Sequence, residues 1–119
     1  MILFLKKYKN KFQYALQGLW YGSTHDRSIQ LHTLIAFFVI GICIPLRLSA
    51  WEWCFIIGAI LLVLAFELVN SAIEGIVDFI SPDYHKEAKK IKDYAAGAVL
   101  LISLLAAIVG IYIIGGKLW

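Results

Sequence analysis

Between Phe4 and Trp20 the larger apolar residues Leu5, Tyr8, Phe12, Leu16 and Leu19 return every three or four positions, and lysines and glutamines fill the gaps. That period predicts an amphipathic helix over about residues 4–22, broken by Gly22, Ser23 and Thr24. Its basic polar face, with Lys6, Lys7, Lys9 and Lys11, suits an interfacial anchor lying along anionic headgroups. The pattern then changes in kind, because three long apolar stretches follow with little polar interruption. Thr33 to Leu46 carries no charge and, with the polar turns before it, predicts a membrane span over about residues 29–47. Pro45 and Arg47-Leu48-Ser49-Ala50 mark a short turn, beyond which Trp51 and Trp53 stand where interfacial aromatics are expected. A second span over about residues 51–80 ends at Ser81-Pro82-Asp83, since Pro82 cannot continue a helix and disfavours helical geometry at Ser81. Tyr84 to Asp93 reads as a short basic connection. Tyr94 to Gly116 is free of charge and predicts a third span over about residues 93–116. Ala95, Ala96, Gly97 and Ala98 at its start are small enough to let another backbone come close. The expected fold is all-α and membrane-embedded: one surface helix and three transmembrane helices forming a single domain over residues 1–119.

Composition agrees with that pattern. Of the 119 residues 61% are hydrophobic and 16% charged, and the mean hydropathy of +0.80 excludes an ordinary soluble domain. The net charge is only +3, but its distribution is informative. Lys6, Lys7, Lys9, Lys11 and Arg27 precede the first span, Lys86, Lys89, Lys90 and Lys92 lie between the second and third, and only Arg47 and Lys117 stand elsewhere. The positive-inside rule then predicts a cytoplasmic N-terminus and second connection. Cys43 and Cys54 lack ligand spacing and read as packing residues, not as a disulfide or zinc site. The basic start is unlike a secretory signal, and no nucleic-acid partner is expected. With so few helices, a closed pocket calls for a second copy of the chain.

The one polar intrusion into the second span is Glu67-Leu68-Val69-Asn70-Ser71-Ala72-Ile73-Glu74-Gly75-Ile76-Val77-Asp78. At about 100° per residue, Asn70, Glu74 and Asp78 return to within about 60° of Glu67. Three carboxyl groups on one stripe of a membrane helix need a cation, a partner or a water-filled cleft. A blander reading places Glu74 and Asp78 beyond the membrane, merely solvated; Glu67, flanked by Phe66, Leu68 and Val69, does not fit it. Folding the helix ends onto a common side gathers Asp26, Glu67, Asn70, Glu74, Asp78, Lys92 and Asp93. Carboxylates and an amide carbonyl are the hard ligands of magnesium, which commonly brings substrate phosphates with it. Phosphoryl transfer follows as a candidate chemistry, with a carboxylate accepting the proton of an attacking hydroxyl and a lysine neutralising phosphate charge. There is no Walker motif and no kinase glycine-rich loop.

This motif, with Asp83-Tyr84-His85 and the run from Ala88 through Lys92-Asp93 to Leu100, resembles the small prokaryotic diacylglycerol kinase family, which includes the undecaprenol kinases. The resemblance covers nearly the whole chain. It implies a homotrimer of three-span subunits with an N-terminal surface helix. Such a trimer uses magnesium and ATP to phosphorylate a membrane lipid alcohol at sites between subunits. By position, Glu67 matches the catalytic base, and Asp26 and Glu74 the metal-binding acids. Asn70, Lys92 and Asp93 match further active-site positions, and Asp78 is expected to serve the substrate or support the site. Asp83, Tyr84 and His85 match a stretch that contacts nucleotide, as do Tyr14 and Lys7 on the surface helix. Asp26 departs from the family's usual glutamate. It keeps the charge but would draw the metal or the backbone inward by about 1.5 Å. Trp51-Glu52-Trp53 and Ala95-Ala96-Gly97 look more like the Gram-positive undecaprenol kinase branch than the diacylglycerol branch. Two rival readings are a small proton-coupled transporter built on Glu67 and a purely structural helical subunit. The several acids with Lys92 and Asp93 argue against the first, and the second leaves the stripe unexplained.

Overall fold

The computed structural model describes residues 1–119 as four helices: α1 (Ile2–His25), α2 (Arg27–Cys43), α3 (Ala50–Ile80) and α4 (Lys86–Leu118). One turn of 3-10 helix, Ile44–Leu46, extends α2. Three segments are long and apolar enough to cross a membrane: Arg27–Leu46, Ala50–Ile80 and Lys86–Leu118. At 1.5 Å per residue α3 and α4 measure about 46 and 50 Å, longer than a hydrocarbon core of about 30 Å. The molecule extends 51 × 48 × 22 Å.

Each boundary has a local cause. Asp26 leaves the helical region at φ −105° and ψ 119°, ending α1 and starting α2 in one residue. Gly22, Ser23 and Thr24 do not break α1 as their composition predicts. The Asp26 amide still donates to the Gly22 carbonyl at 3.0 Å, and the Thr24 hydroxyl folds back onto the Trp20 carbonyl at 2.8 Å. Gly22 is buried in this corner because a Cβ there would come within 2.9 Å of Leu68 Cδ2 and 3.0 Å of Ile29 Cδ1. Pro45 opens the 3-10 turn, and Arg47 closes it in the left-handed region at φ 53°. Ser49 then starts α3 with a capping box: its hydroxyl accepts from the Glu52 amide at 3.2 Å while Glu52 Oε1 accepts from the Ser49 amide at 3.0 Å.

The expected connection from Tyr84 to Asp93 is shorter than its composition implies. Helix α4 already begins at Lys86, capped by His85 Nδ1, which accepts from the Glu87 amide at 3.1 Å. Lysine, glutamate and alanine are good helix formers, and a search for apolar runs passes over such a polar first turn. At the small residues Ala95–Ala98, Ala95 and Ala98 are half-buried, but Gly97 itself is not a point of close backbone approach within the chain, since a Cβ there would meet nothing within 4 Å. Cys43 is fully buried and packs with Ile56 and Ile113 near the Arg47 turn, as a packing residue should. Cys54 is exposed instead, because it lies on the side of α3 turned away from α2 and α4. Only 9 of 119 residues are buried. The chain alone therefore leaves most of its apolar surface to lipid or to other copies of itself.

Candidate active site

The corner where α1 meets α2 lies against the middle of α3, and there the polar residues of the spans converge. Asp26 is tied down on both of its oxygens. Oδ1 accepts from the amides of Ser28 at 2.9 Å and Ile29 at 3.2 Å, and Oδ2 accepts from the Ser71 hydroxyl of α3. Asp26 is thus both the N-cap of α2 and the polar link from α2 to α3. A glutamate would place its carboxylate one bond too far out for this cap, which gives the shorter side chain a local reason.

Glu67 lies on the same face of α3, only 4% exposed. Its one ionic neighbour is His32 of α2, with Nδ1 3.2 Å from Oε1. No lysine or arginine lies within ion-pair distance of it. Asp26 and Glu74 are near enough to act on its charge electrostatically. One turn further on, Asn70 Nδ2 donates to Glu74 Oε1 at 3.3 Å. A carboxylate can only accept, so the amide nitrogen must face Glu74 and the carbonyl must face the other way. That Asn70 Oδ1 is shut away from solvent with no hydrogen-bond partner. Buried polar atoms are nearly always paired, so this oxygen marks unfilled capacity.

The donor set fits magnesium. Glu74 offers a carboxylate, Asn70 an unpartnered carbonyl oxygen, and Asp26 a carboxylate with about four acceptor positions of which three are used. No three acidic, histidine or cysteine side chains close on one point within the chain.

The end of the stripe belongs to a second cluster. Asp78 is paired with Lys92 of α4. Both border a cavity of about 320 Å³ between the end of α3 and the start of α4, shared with Asp83, Tyr84, His85 and Lys89. Asp93, expected to act beside Lys92, instead pairs with Lys89 at 2.7 Å on an exposed side of α4. Adjacent helical residues diverge by about 100°, so Lys92 and Asp93 cannot share one face. Lys7 and Tyr14 are exposed on α1 and form no hydrogen bond or ion pair with either cluster. Sequence reasoning passed over His32 and Ser71. His32 was visible only as a polar residue leading into the first apolar run, and Ser71 only as a neighbour of Asn70. What makes them part of the site is the pairing of α2 with α3.

A larger cavity, about 600 Å³, runs between α2, α3 and α4, and its wall is apolar apart from His32 and Ser103. The two cavities differ in chemistry: one is apolar and bordered by His32, and the other is a charged pocket at the helix ends.

The sequence profile described as prokaryotic diacylglycerol kinase matches residues 13–114. An undecaprenol kinase of Bacillus subtilis is 35% identical over 114 residues, which cover 96% of this chain and 93% of that protein. A diacylglycerol kinase of Synechocystis is 39% identical over 100 residues, covering 83% of this chain but 57% of that longer protein. A diacylglycerol kinase of Escherichia coli is 28% identical over 95 residues, or 80% of this chain and 78% of that protein.

Proposed function

This chain belongs to the prokaryotic diacylglycerol kinase family, and on that premise we propose a lipid kinase that phosphorylates undecaprenol with ATP and magnesium. The observation that carries the reading is Glu67: a nearly buried carboxylate in a membrane helix, with a histidine as its only ionic neighbour and no lysine or arginine to neutralise it. A structural ion pair would have supplied a permanent cation. A base needs an acceptor oxygen within reach of the substrate.

In the reaction, the Glu67 carboxylate takes the proton of the lipid hydroxyl as that oxygen bonds to the γ-phosphorus of ATP. The bond from phosphorus to the β–γ bridging oxygen breaks, so the products are lipid phosphate, ADP and protonated Glu67. Magnesium, when bound, offsets the charge on the phosphate oxygens. Glu74 and Asp26 would hold it with carboxylate oxygens, while the Asn70 amide, donating to Glu74, would orient that carboxylate. Asp83, Tyr84 and His85, with Lys92, shape the pocket for the nucleotide, and Lys7 and Tyr14 reach it from α1 of the same or another copy. Asp78 orients Lys92. Asp93, turned away within the chain, acts only where a neighbouring copy meets α4.

Undecaprenol is preferred over diacylglycerol because the relative described as an undecaprenol kinase matches this chain almost from end to end, whereas the more identical diacylglycerol kinase extends well beyond it. The sparse core and the absence of three converging acids in one chain support a homotrimer with shared sites. Five of the eleven basic residues lie before the first span's apolar run and four more at the start of α4, which supports a cytoplasmic site in a bacterial inner membrane, with α1 as the surface anchor. The test is direct. Protein reconstituted with magnesium and γ-labelled ATP is given undecaprenol or diacylglycerol, and the labelled lipid is identified. Label in undecaprenyl phosphate is expected; label in phosphatidic acid alone would assign the diacylglycerol reaction, and no label in either lipid would reject the kinase reading.

A further inference from the structure

His32 stands between the two features that define the site. Its Nδ1 is 2.9 Å from the Ser28 carbonyl and 3.2 Å from Glu67 Oε1. A carbonyl can only accept, so Nδ1 carries the hydrogen and is held over the carboxylate by the helix's own backbone. The same ring is the one ionisable side chain in the wall of the apolar cavity between α2, α3 and α4. Around Glu67 the other charged groups, Asp26 and Glu74, are both acids and repel it, which leaves the imidazole ring as the one group within ion-pair distance able to attract the carboxylate.

We infer that His32 is the positioning residue for Glu67: with its Nδ1 hydrogen anchored on the Ser28 carbonyl, the ring holds its Nδ1 edge 3.2 Å from Oε1 and attracts that oxygen electrostatically, leaving Oε2 as the oxygen presented to the lipid hydroxyl. The inference rests on Glu67 as the base. A carboxylate freed from this contact can still accept a proton but loses its orientation. Displacement of a reacting group by about 1 Å can cost up to about a hundredfold in rate. Substrate and ATP affinity do not depend on that orientation, so the loss falls on kcat and not on KM.

The measurement is steady-state kinetics on the full chain in lipid, for His32→Leu, His32→Asn, His32→Gln and Glu67→Gln. Asparagine places an amide N–H where Nδ1 stands, whereas glutamine carries its amide one bond further. His32→Leu is expected to lose about tenfold or more in kcat with both KM values near wild type, and His32→Asn to recover most of that loss. A His32→Leu enzyme with wild-type kcat overturns the inference, as does an asparagine variant no better than the leucine one. Should His32→Leu fail to fold, the contrast between asparagine and glutamine decides: retained kcat in the first and lost kcat in the second supports the contact, and equal values overturn it. Glu67→Gln separates the two levels. If it is inactive while His32→Leu is normal, only the positioning role falls. If it turns over like wild type, the base assignment falls and takes this role with it.

Discussion

The two ends of the helical bundle use their acids differently: one, Glu52, stands at the Arg47 end, and the other seven lie toward the Asp26 end. At the Arg47 end, Glu52 is spent on structure. One oxygen closes the capping box with Ser49 and also meets Lys117 of α4 at 3.0 Å, tying the start of α3 to the end of α4. At the Asp26 end, Glu67 has a histidine in place of a lysine, Asn70 keeps an unpartnered oxygen, and Glu74 receives a single amide hydrogen bond. The first cluster joins α3 to α4 and the second joins α3 to α2. What separates them is unused hydrogen-bonding and charge capacity, which is costly in a membrane and persists where a substrate or ion supplies the missing partner.

The sharpest way to break this contrast is Glu67→Gln. An amide of the same shape cannot accept the hydroxyl proton, so transfer should fall by about a hundredfold to ten-thousandfold while the protein still folds and binds nucleotide. Steady-state kinetics beside an ATP-binding measurement checks it, and near-normal turnover would make Glu67 as structural as Glu52. Next in size is Glu74→Gln, which removes a charged ligand but leaves a side chain that can still face Asn70. The magnesium dependence of activity should move to concentrations higher by about tenfold or more; an unchanged titration would remove Glu74 from the metal site.

Asp26 joins the two kinds of behaviour, since it caps α2 and also faces the site. Asp26→Asn keeps the cap, because asparagine caps about as well as aspartate, and its amide can still meet the Ser71 hydroxyl. A magnesium titration of this variant should shift toward weaker binding; a curve overlaying wild type would leave Asp26 as a cap alone. Asp26→Ala should in addition lower stability by about 1 kcal/mol through loss of the cap. Asp26→Glu, which the family pattern presents as harmless, should carry a similar cap cost, readable as a lower Tm than Asp26→Asn. The smallest effect belongs to the other end. Lys117→Met removes a half-exposed ion pair of little energetic weight, so kinase activity should match wild type; a large loss would mean that the Arg47 end communicates with the site.

Much of this was legible in the chain itself. The three apolar stretches, the stop at Ser81-Pro82 and the stripe from Glu67 to Asp78 follow from periodicity and composition, because a membrane helix satisfies its backbone internally and advertises its length in hydropathy. Boundaries set by side-chain capping were less legible. Thr24 carries α1 through a glycine-serine pair by folding back on its own helix, and His85 starts α4 inside what composition presents as a loop. Both are hydrogen bonds that no pattern of polarity records.

The sequence by itself determined the helices, the membrane and the row of acids along α3, since each depends on residues close together in the chain. Tertiary structure alone decided which acids have partners. Asp78 takes Lys92 from fourteen residues away, and Asp26 takes Ser71 from forty-five. Glu67 receives only His32. Those pairings depend on how α2, α3 and α4 are rotated against one another, and that rotation is fixed by packing between distant segments, which the order of residues along any one helix does not contain.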